Sequence, residues 1–553
     1  MPFGILDDYI LPHVPGTVHL EEKQEDTPDV KTNGLKHGTG RRDQDIVLAP
    51  QPSDDPNDPL NWSMAKKVSI VAILMFGACI MPSCFGPMLS AGTAVIAIDL
   101  NTSIADVTIL SGYQLLVAGC WGPFVSALSR RYGKRPQFLF ASLMGLLGTI
   151  ICSASKDYST LRAGRVVQGF AFSAYESLIF SAIADLFYVH QRGLFTSIMS
   201  FTLAAVSNLT SVICGPITNN LGWHYLFHIL VACLGFQLLL VLFFVPETAY
   251  ERDVSLEIDE TATEAVMTEK LPSVSEKDTE IAHLETTRTQ SSAGLPPQKK
   301  TFWQELAIFT GRHSDENIFT LIAAPILVNL NVAALWMVVM TGAVSSFYVS
   351  QSFVAAQIFF YPPYNLTAAG VGYLFVGPFL GGLLGSAVLA VMMDPLILFC
   401  TKRNRGVYEP EFRLIPVILG LLGGVGIVGY ATIVQAKDSL YLAAFFWGLG
   451  LFGIIFIVTP ANSYVIDAYR EISSEMFIAN MMFKNFLFFG YSYFVNNWAA
   501  EKGPGQVFYV YGGLTFAMAL TTLPIYVWGK RYRSYWCRHN LLGMMGIRTH
   551  AEL

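Results

Sequence analysis

Charge is scarce in this chain. Only 14% of its 553 residues are Asp, Glu, Lys or Arg, where soluble domains carry about 25%, so a single water-facing globule is excluded. The net charge of -6 says little about partners, because much of the acid falls in two polar segments, and no nucleic-acid partner is expected. Cysteine is equally thin. Cys79, Cys84, Cys120, Cys152, Cys214, Cys233, Cys400 and Cys537 stand singly, with no Cys-x-x-Cys pair and no histidine at metal spacing. They read as packing thiols, and neither a metal nor a cofactor is expected. No Gly-x-x-x-x-Gly-Lys-Ser/Thr run occurs, which argues against nucleotide-driven pumping by this chain. No selectivity-filter run points to a channel, and no constellation of His, Cys or paired carboxylates points to an enzyme. A secretory signal is also missing: residues 1–64 are polar and rich in Asp and Pro, and the first apolar run follows Lys66 and Lys67. The first span is therefore expected to act as its own insertion signal.

What the chain has instead is apolar length. Hydrophobic residues make up 53% of it, and the mean hydropathy is +0.45. Stretches at about 67–92, 106–128, 136–154, 161–186, 194–218, 222–246, 318–348, 367–392, 412–434, 438–461, 474–497 and 506–528 each approach or exceed the roughly 20 residues that cross a hydrocarbon core. They are about twice the length of a barrel strand and lack strict alternation, so they are helices. The fold class expected is an all-α membrane protein with twelve transmembrane helices in two six-helix bundles. An even count puts both termini on one side. Basic residues crowd the turns after spans two (Arg130, Arg131, Lys134, Arg135), eight (Lys402, Arg403, Arg405) and twelve (Lys530, Arg531, Arg533, Arg538). By the positive-inside rule both termini and the central loop are cytoplasmic.

The domain plan that follows is a disordered cytoplasmic segment 1–65, a six-helix bundle 66–248, a linker 249–316, a second bundle 317–530 and a cytoplasmic tail 531–553. The linker is rich in Glu, Thr, Ser and Lys and cannot bury enough apolar surface to fold alone. At its end Phe302, Leu306 and Phe309 share a helical face beside Trp303, which suggests a short interfacial helix. Sequons at Asn101 and Asn365 fall in loops expected outside, where glycans could be attached. Those at Asn61 and Asn208 fall on the cytoplasmic side and inside a span.

Several motifs carry a family resemblance. The turn Arg131-Tyr132-Gly133-Lys134-Arg135 resembles the signature between spans two and three of the major facilitator superfamily, with Arg130 where that signature has Asp and Asp394 at the matching place in the second half. Span four carries Arg162-Ala163-Gly164-Arg165-Val166-Val167-Gln168-Gly169, similar to the family's second motif. Gly215-Pro216 in span five resembles its proton-antiporter motif, with Ser211, Asn219 and Asn220 departing from the usual glycines. Asn57-Asp58-Pro59-Leu60-Asn61-Trp62, Pro246-Glu247-Thr248 and Tyr408-Glu409-Pro410-Glu411-Phe412-Arg413 resemble the fungal drug:proton antiporter branch. His13-Val14-Pro15-Gly16-Thr17 narrows it towards relatives of the yeast histidinol and polyamine permease. Such a resemblance implies a substrate site between parallel repeats near the membrane midplane.

Glu176 is the sharpest candidate. It shares a helical face with Arg165 and Gln168 and lies about 16 Å deeper than Arg165 at 1.5 Å per residue. An ionisable group at that depth faces a cavity or a partner, as proton carrier or as anion for a cationic substrate. Gln114, Tyr175, Asn208, Asn331, Trp336 and Asn462 are candidates for lining the cavity. Asp185 is expected to anchor the loop holding Arg192, and Lys484 to snorkel towards the cytoplasm. The expectation is a monomeric plasma-membrane transporter working by alternating access, with a small molecule and protons as partners. Proton-coupled efflux is favoured over uptake of organic cations such as polyamines.

Overall fold

Several helices in this protein overrun the hydropathy limits at capped ends, whereas the first stops at Ile80, well short of the expected residue 92. The computed structural model describes residues 4–11, 14–19, 52–53, 55–250, 300–309, 311–312, 317–469 and 472–539. The linker and tail expectations for 251–299 and 540–553 lie outside them. The first bundle holds α1 (Met64–Ile80), α2 (Ile104–Tyr132), α3 (Arg135–Ser153), α4 (Tyr158–Leu186), α5 and α6 (His224–Phe244). Helix α5 runs as Val189–Phe201 and Ser207–Leu221 through a π-helical turn at Thr202–Val206. Ser103 and Asp106 form a reciprocal capping box at the start of α2, and Asp157 caps α4 by accepting from the Thr160 amide. The second bundle holds α7, α8, α9 (Val417–Ala436), α10 (Leu440–Ala468), α11 (Ser473–Lys502) and α12. Helix α7 is Ile318–Leu327 and Val332–Phe359, α8 is Ala368–Leu374 and Val376–Arg403, and α12 is Pro504–Leu520 and Thr522–Arg538. Ten of these twelve spans are long and apolar enough to cross a membrane. The other two are α1, 17 residues long, and α11, whose polar residues dilute a 30-residue helix.

Each half packs around its own hydrophobic core. Two seams join them. Helices α2 and α11 run together for most of their length, with Gly119 against Phe486 and Asn485 and Gly122 against Met481. Helices α5 and α8 meet near the end of the bundle opposite the described chain ends, here called the far end. There a Cβ on Gly215 would lie 2.7 Å from the Ala368 carbonyl oxygen, and one on Gly372 would lie 2.7 Å from the Ser211 carbonyl oxygen. Only glycine lets the two backbones approach this closely.

The N-terminal segment departs from the expectation of disorder. Residues 4–11 and 14–19 dock on the terminal end of the second half. Ile5 is fully buried, the Leu6 amide donates to the Val527 carbonyl at 3.0 Å, and Ser534 donates to Asp8. Strand β1 (Val18–His19) pairs antiparallel with β2 (Val407–Tyr408). The anchor is Arg533, 1% exposed, which donates to both Glu411 oxygens, to Glu409 and to the Pro15 carbonyl. Residues 52–53 and 55–62 dock on the first half instead: Asp55 accepts from Tyr250, and the Leu60 carbonyl accepts from Lys67 and Tyr188. A polar segment is ordered here because its few apolar side chains and free carbonyls meet partners that a lone peptide lacks. The expected interfacial helix is a single turn, Phe302–Glu305, with Phe302 and Trp303 exposed and Glu305 paired with Lys66.

Candidate functional site

Two oppositely charged side chains meet inside the membrane-spanning bundle, one from each half. Glu176 lies four residues beyond the centre of α4 (158–186) and Lys484 about four before the centre of α11 (473–502). Because the helices run antiparallel, both sit roughly 6 Å from mid-helix on the terminal side. The Lys484 ammonium donates to Glu176 Oε1, and Asn485 Nδ2 donates to Oε2 at 3.3 Å. The Phe488 ring lies 5.8 Å from Lys484 Nζ, within cation–π range. The Glu176 side chain is 9% exposed and that of Lys484 25%, so the lysine is the more exposed of the two. Lys484 therefore does not snorkel to the terminal end as expected. A carboxylate within reach is a better partner for a mid-span ammonium than a long climb to water.

Arg165 and Gln168 share a face with Glu176 but not a site. Arg165 is fully buried inside the first half, donating to the Phe85 carbonyl, Gln114 Oε1 and Gln168 Oε1 at 2.6, 3.0 and 3.2 Å. Gln168 donates to Thr149 on α3. Two guanidinium nitrogens, Nε and Nη2, have no hydrogen-bond partner among the described residues. Gln114 thus belongs to this cluster and does not line a cavity between the halves. Tyr175 is displaced in the same way: it is fully buried, bonded to Ser142 and Gln237 of the first half, since one residue along a helix turns a side chain by about 100°.

The other expected lining residues divide. Asn208 accepts from the Tyr348 hydroxyl at 2.8 Å, a bond between α5 and α7 that crosses the halves. Asn462 is half-buried, with Oδ1 unpartnered among the described residues. Asn331 is a helix cap, accepting from the Ala333 and Ala334 amides, and Trp336 donates to Thr521, between the two segments of α12, so both are structural parts of the second half. Asn101 and Asn365 are exposed in far-end turns with positive φ.

At the terminal end the signature turn is tied down by groups the sequence reading did not assign. Gly133, at φ +93°, brings the turn against the Glu247 carboxylate, which accepts from the Lys134 and Arg135 amides at 2.9 and 3.0 Å. The Lys134 ammonium pairs with Asp185, and Arg135 donates to the Val245 and Leu242 carbonyls. Asp185 thus ties α4 to the signature turn, while Arg192 donates to the Phe187 and Ala184 carbonyls. Arg131 lies against the Tyr132 ring. Arg130, in the place of the expected Asp, pairs with Glu475 at the start of α11 at 2.8 Å, a tie between the two halves. Asp394 is not in a loop: α8 continues to Arg403, and Asp394 is exposed on it. The partner of Glu176 was findable in principle, since Lys484 is the one basic residue within the apolar run of span eleven.

The family model described as Major Facilitator Superfamily matches residues 71–490. An uncharacterized MFS-type transporter of Schizosaccharomyces pombe is 23% identical, over 99% of this chain and 97% of its own. Protein HOL1 of Saccharomyces cerevisiae is 22% identical, over 97% and 98%. Among solved structures, the xylose transporter XylE from E. coli, in a partially occluded inward open conformation, superposes with a TM-score of 0.53 at 12% identity. That match covers 82% of this chain and 98% of the other, a likeness of fold.

Proposed function

The chain belongs to the major facilitator superfamily, and from that premise we propose that this secondary transporter exports a small organic compound in exchange for protons. The terminal end faces the cytoplasm, in a plasma membrane. The observation that carries the coupling is the Glu176–Lys484 pair. It is a bond between the two halves that a single proton can break: with Glu176 protonated, the ammonium loses its counter-charge and the halves lose a tie. Rocking of the halves then exposes the site to one side at a time. Export is supported by Gly215 and Pro216 in α5, where Gly215 sits in the far-end seam. Those are the residues that resemble the antiporter motif.

One observation favours a second reading, uptake of organic cations. The pocket around Glu176 already holds an ammonium group, that of Lys484. Deletion of the gene in its source organism separates the two. Export predicts hypersensitivity to the exported compound. Uptake predicts reduced accumulation of polyamines and resistance to toxic cations. A deletion strain unchanged in both respects would count against each.

A further inference from the structure

Where the sequence suggested cysteines standing singly, the fold brings two of them together. Past Ile80 the chain carries Pro82, Gly86 and Pro87, so span one gives up the helix and runs through turns as far as Gly92. This irregular stretch lies along α5, with the Ser83 hydroxyl donating to the Thr202 carbonyl at 3.0 Å. In return Thr210 and Ser211 donate to the Ser83 and Pro87 carbonyls at 3.3 and 3.0 Å. Beside those bonds the Cys84 and Cys214 thiols are in hydrogen-bond contact. Both are free, Cys84 half-buried and Cys214 buried. The Arg165 guanidinium stands close to Cys84 and donates to the carbonyl of the next residue, Phe85, at 2.6 Å. A cysteine beside a cation is a reactive one, whereas one in wholly apolar surroundings is inert. Arg165 and Cys214 each lie seven residues inside the far-end limits of their helices, Tyr158 and Leu221, about 10 Å deep.

We propose that Cys84 and Cys214 are a modification site, a dithiol that a peroxide closes to a disulfide, pinning α5 to the irregular stretch of span one. The Cys84 sulfur attacks one peroxide oxygen and the O–O bond breaks. The thiol proton leaves with the other oxygen as water, and Cys84 becomes a sulfenic acid. The Cys214 sulfur then displaces the hydroxyl of that acid, which takes the Cys214 proton and departs as a second water. The two thiols lose two electrons and two protons, and the peroxide gains both. The new bond stands next to Gly215, which meets the Ala368 carbonyl in the far-end seam. Helix α5 is broken by its π-helical turn at Thr202–Val206, a feature frequent at functional sites. Hydroxyl-to-carbonyl bonds let it shift against residues 83–87, and a disulfide does not.

The test is peptide mapping by mass spectrometry of the full chain purified in detergent, reduced, desalted and treated with hydrogen peroxide. Peptides joined through Cys84 and Cys214 are expected, and dithiothreitol separates them. Oxidation of the exposed Cys537 reports that the peroxide has acted. Cys79 and Cys233 also stand near Cys84, so Cys79→Ser combined with Cys233→Ser leaves the bond forming as before. Cys214→Ser stops it and leaves Cys84 as a sulfenic acid that dimedone captures. On closure, amide hydrogen exchange of residues 81–92 slows at least tenfold, and it recovers on reduction. Cys84 and Cys214 unlinked while Cys537 is oxidised overturns the proposal, as does a bond from Cys84 to Cys79 or Cys233 instead. A Cys84–Cys214 bond with exchange unchanged overturns the pinning. If the serine variants do not fold, the wild-type peptide map and its exchange decide alone.

Discussion

Adding one methyl group at the far-end seam is expected to open it. A Cβ on Gly215 would sit 2.7 Å from the Ala368 carbonyl oxygen and 3.0 Å from Gly372 Cα, and these are backbone atoms that cannot rotate away. Overpacking of this kind costs about 1–3 kcal/mol. The cost falls only on states in which α5 and α8 touch, so Gly215→Ala shifts the equilibrium towards separated far ends by about 5- to 150-fold. Spin labels at the exposed positions Asn220 and Tyr361, one on each half, report the separation, and Gly215→Ala should move their distance distribution to longer values. Gly372→Ala, whose Cβ meets the Ser211 carbonyl oxygen at 2.7 Å, should do the same. An unchanged distribution in both folded variants would refute the seam as the element that holds the far end closed.

Three further outcomes follow from named contacts. Arg533→Met leaves Glu411 without its cation and releases the Pro15 carbonyl. Breaking a buried pair costs about 3–5 kcal/mol, read as a fall in thermal stability of the purified protein and protease sensitivity of residues 14–19. Arg130→Glu places two acids together at the α2–α11 junction and should depress transport. Adding Glu475→Arg should restore it, and a double variant no better than the single would discount the pair as a latch. Glycan mapping should find modification, if any, at Asn101 and Asn365 and none at Asn61, which would reverse the proposed orientation if it were modified.

The twelve spans were legible because a bilayer demands a run of apolar residues that nothing else in the chain imitates. Their ends were not, since Asn331 caps a helix inside span seven and α8 runs on through Asp394 to Arg403, where charge is tolerated beyond the hydrocarbon. Glu176 stood out as an acid inside an apolar run. Lys484 stood out likewise, but their pairing did not, because helix periodicity says which residues share a face and not which helix, some 300 residues away, that face will meet. That is why Arg165 and Glu176 align along α4 yet bond to different elements, and why Tyr175 points into the first half while its neighbour points out. The docking of residues 5–11 and 14–19 was illegible for the same reason, as its anchor is Arg533 at the other end of the chain.

The most direct measurement of the coupling claim is transport by Glu176→Gln in vesicles, using the compound whose handling the deletion strain alters. Glutamine keeps the shape and a hydrogen bond to Lys484 but carries neither the charge nor a titratable proton. The account predicts that accumulation driven by a pH gradient is lost while exchange of labelled for unlabelled compound at equal concentrations continues. Gradient-driven accumulation at the wild-type rate in this variant would contradict it.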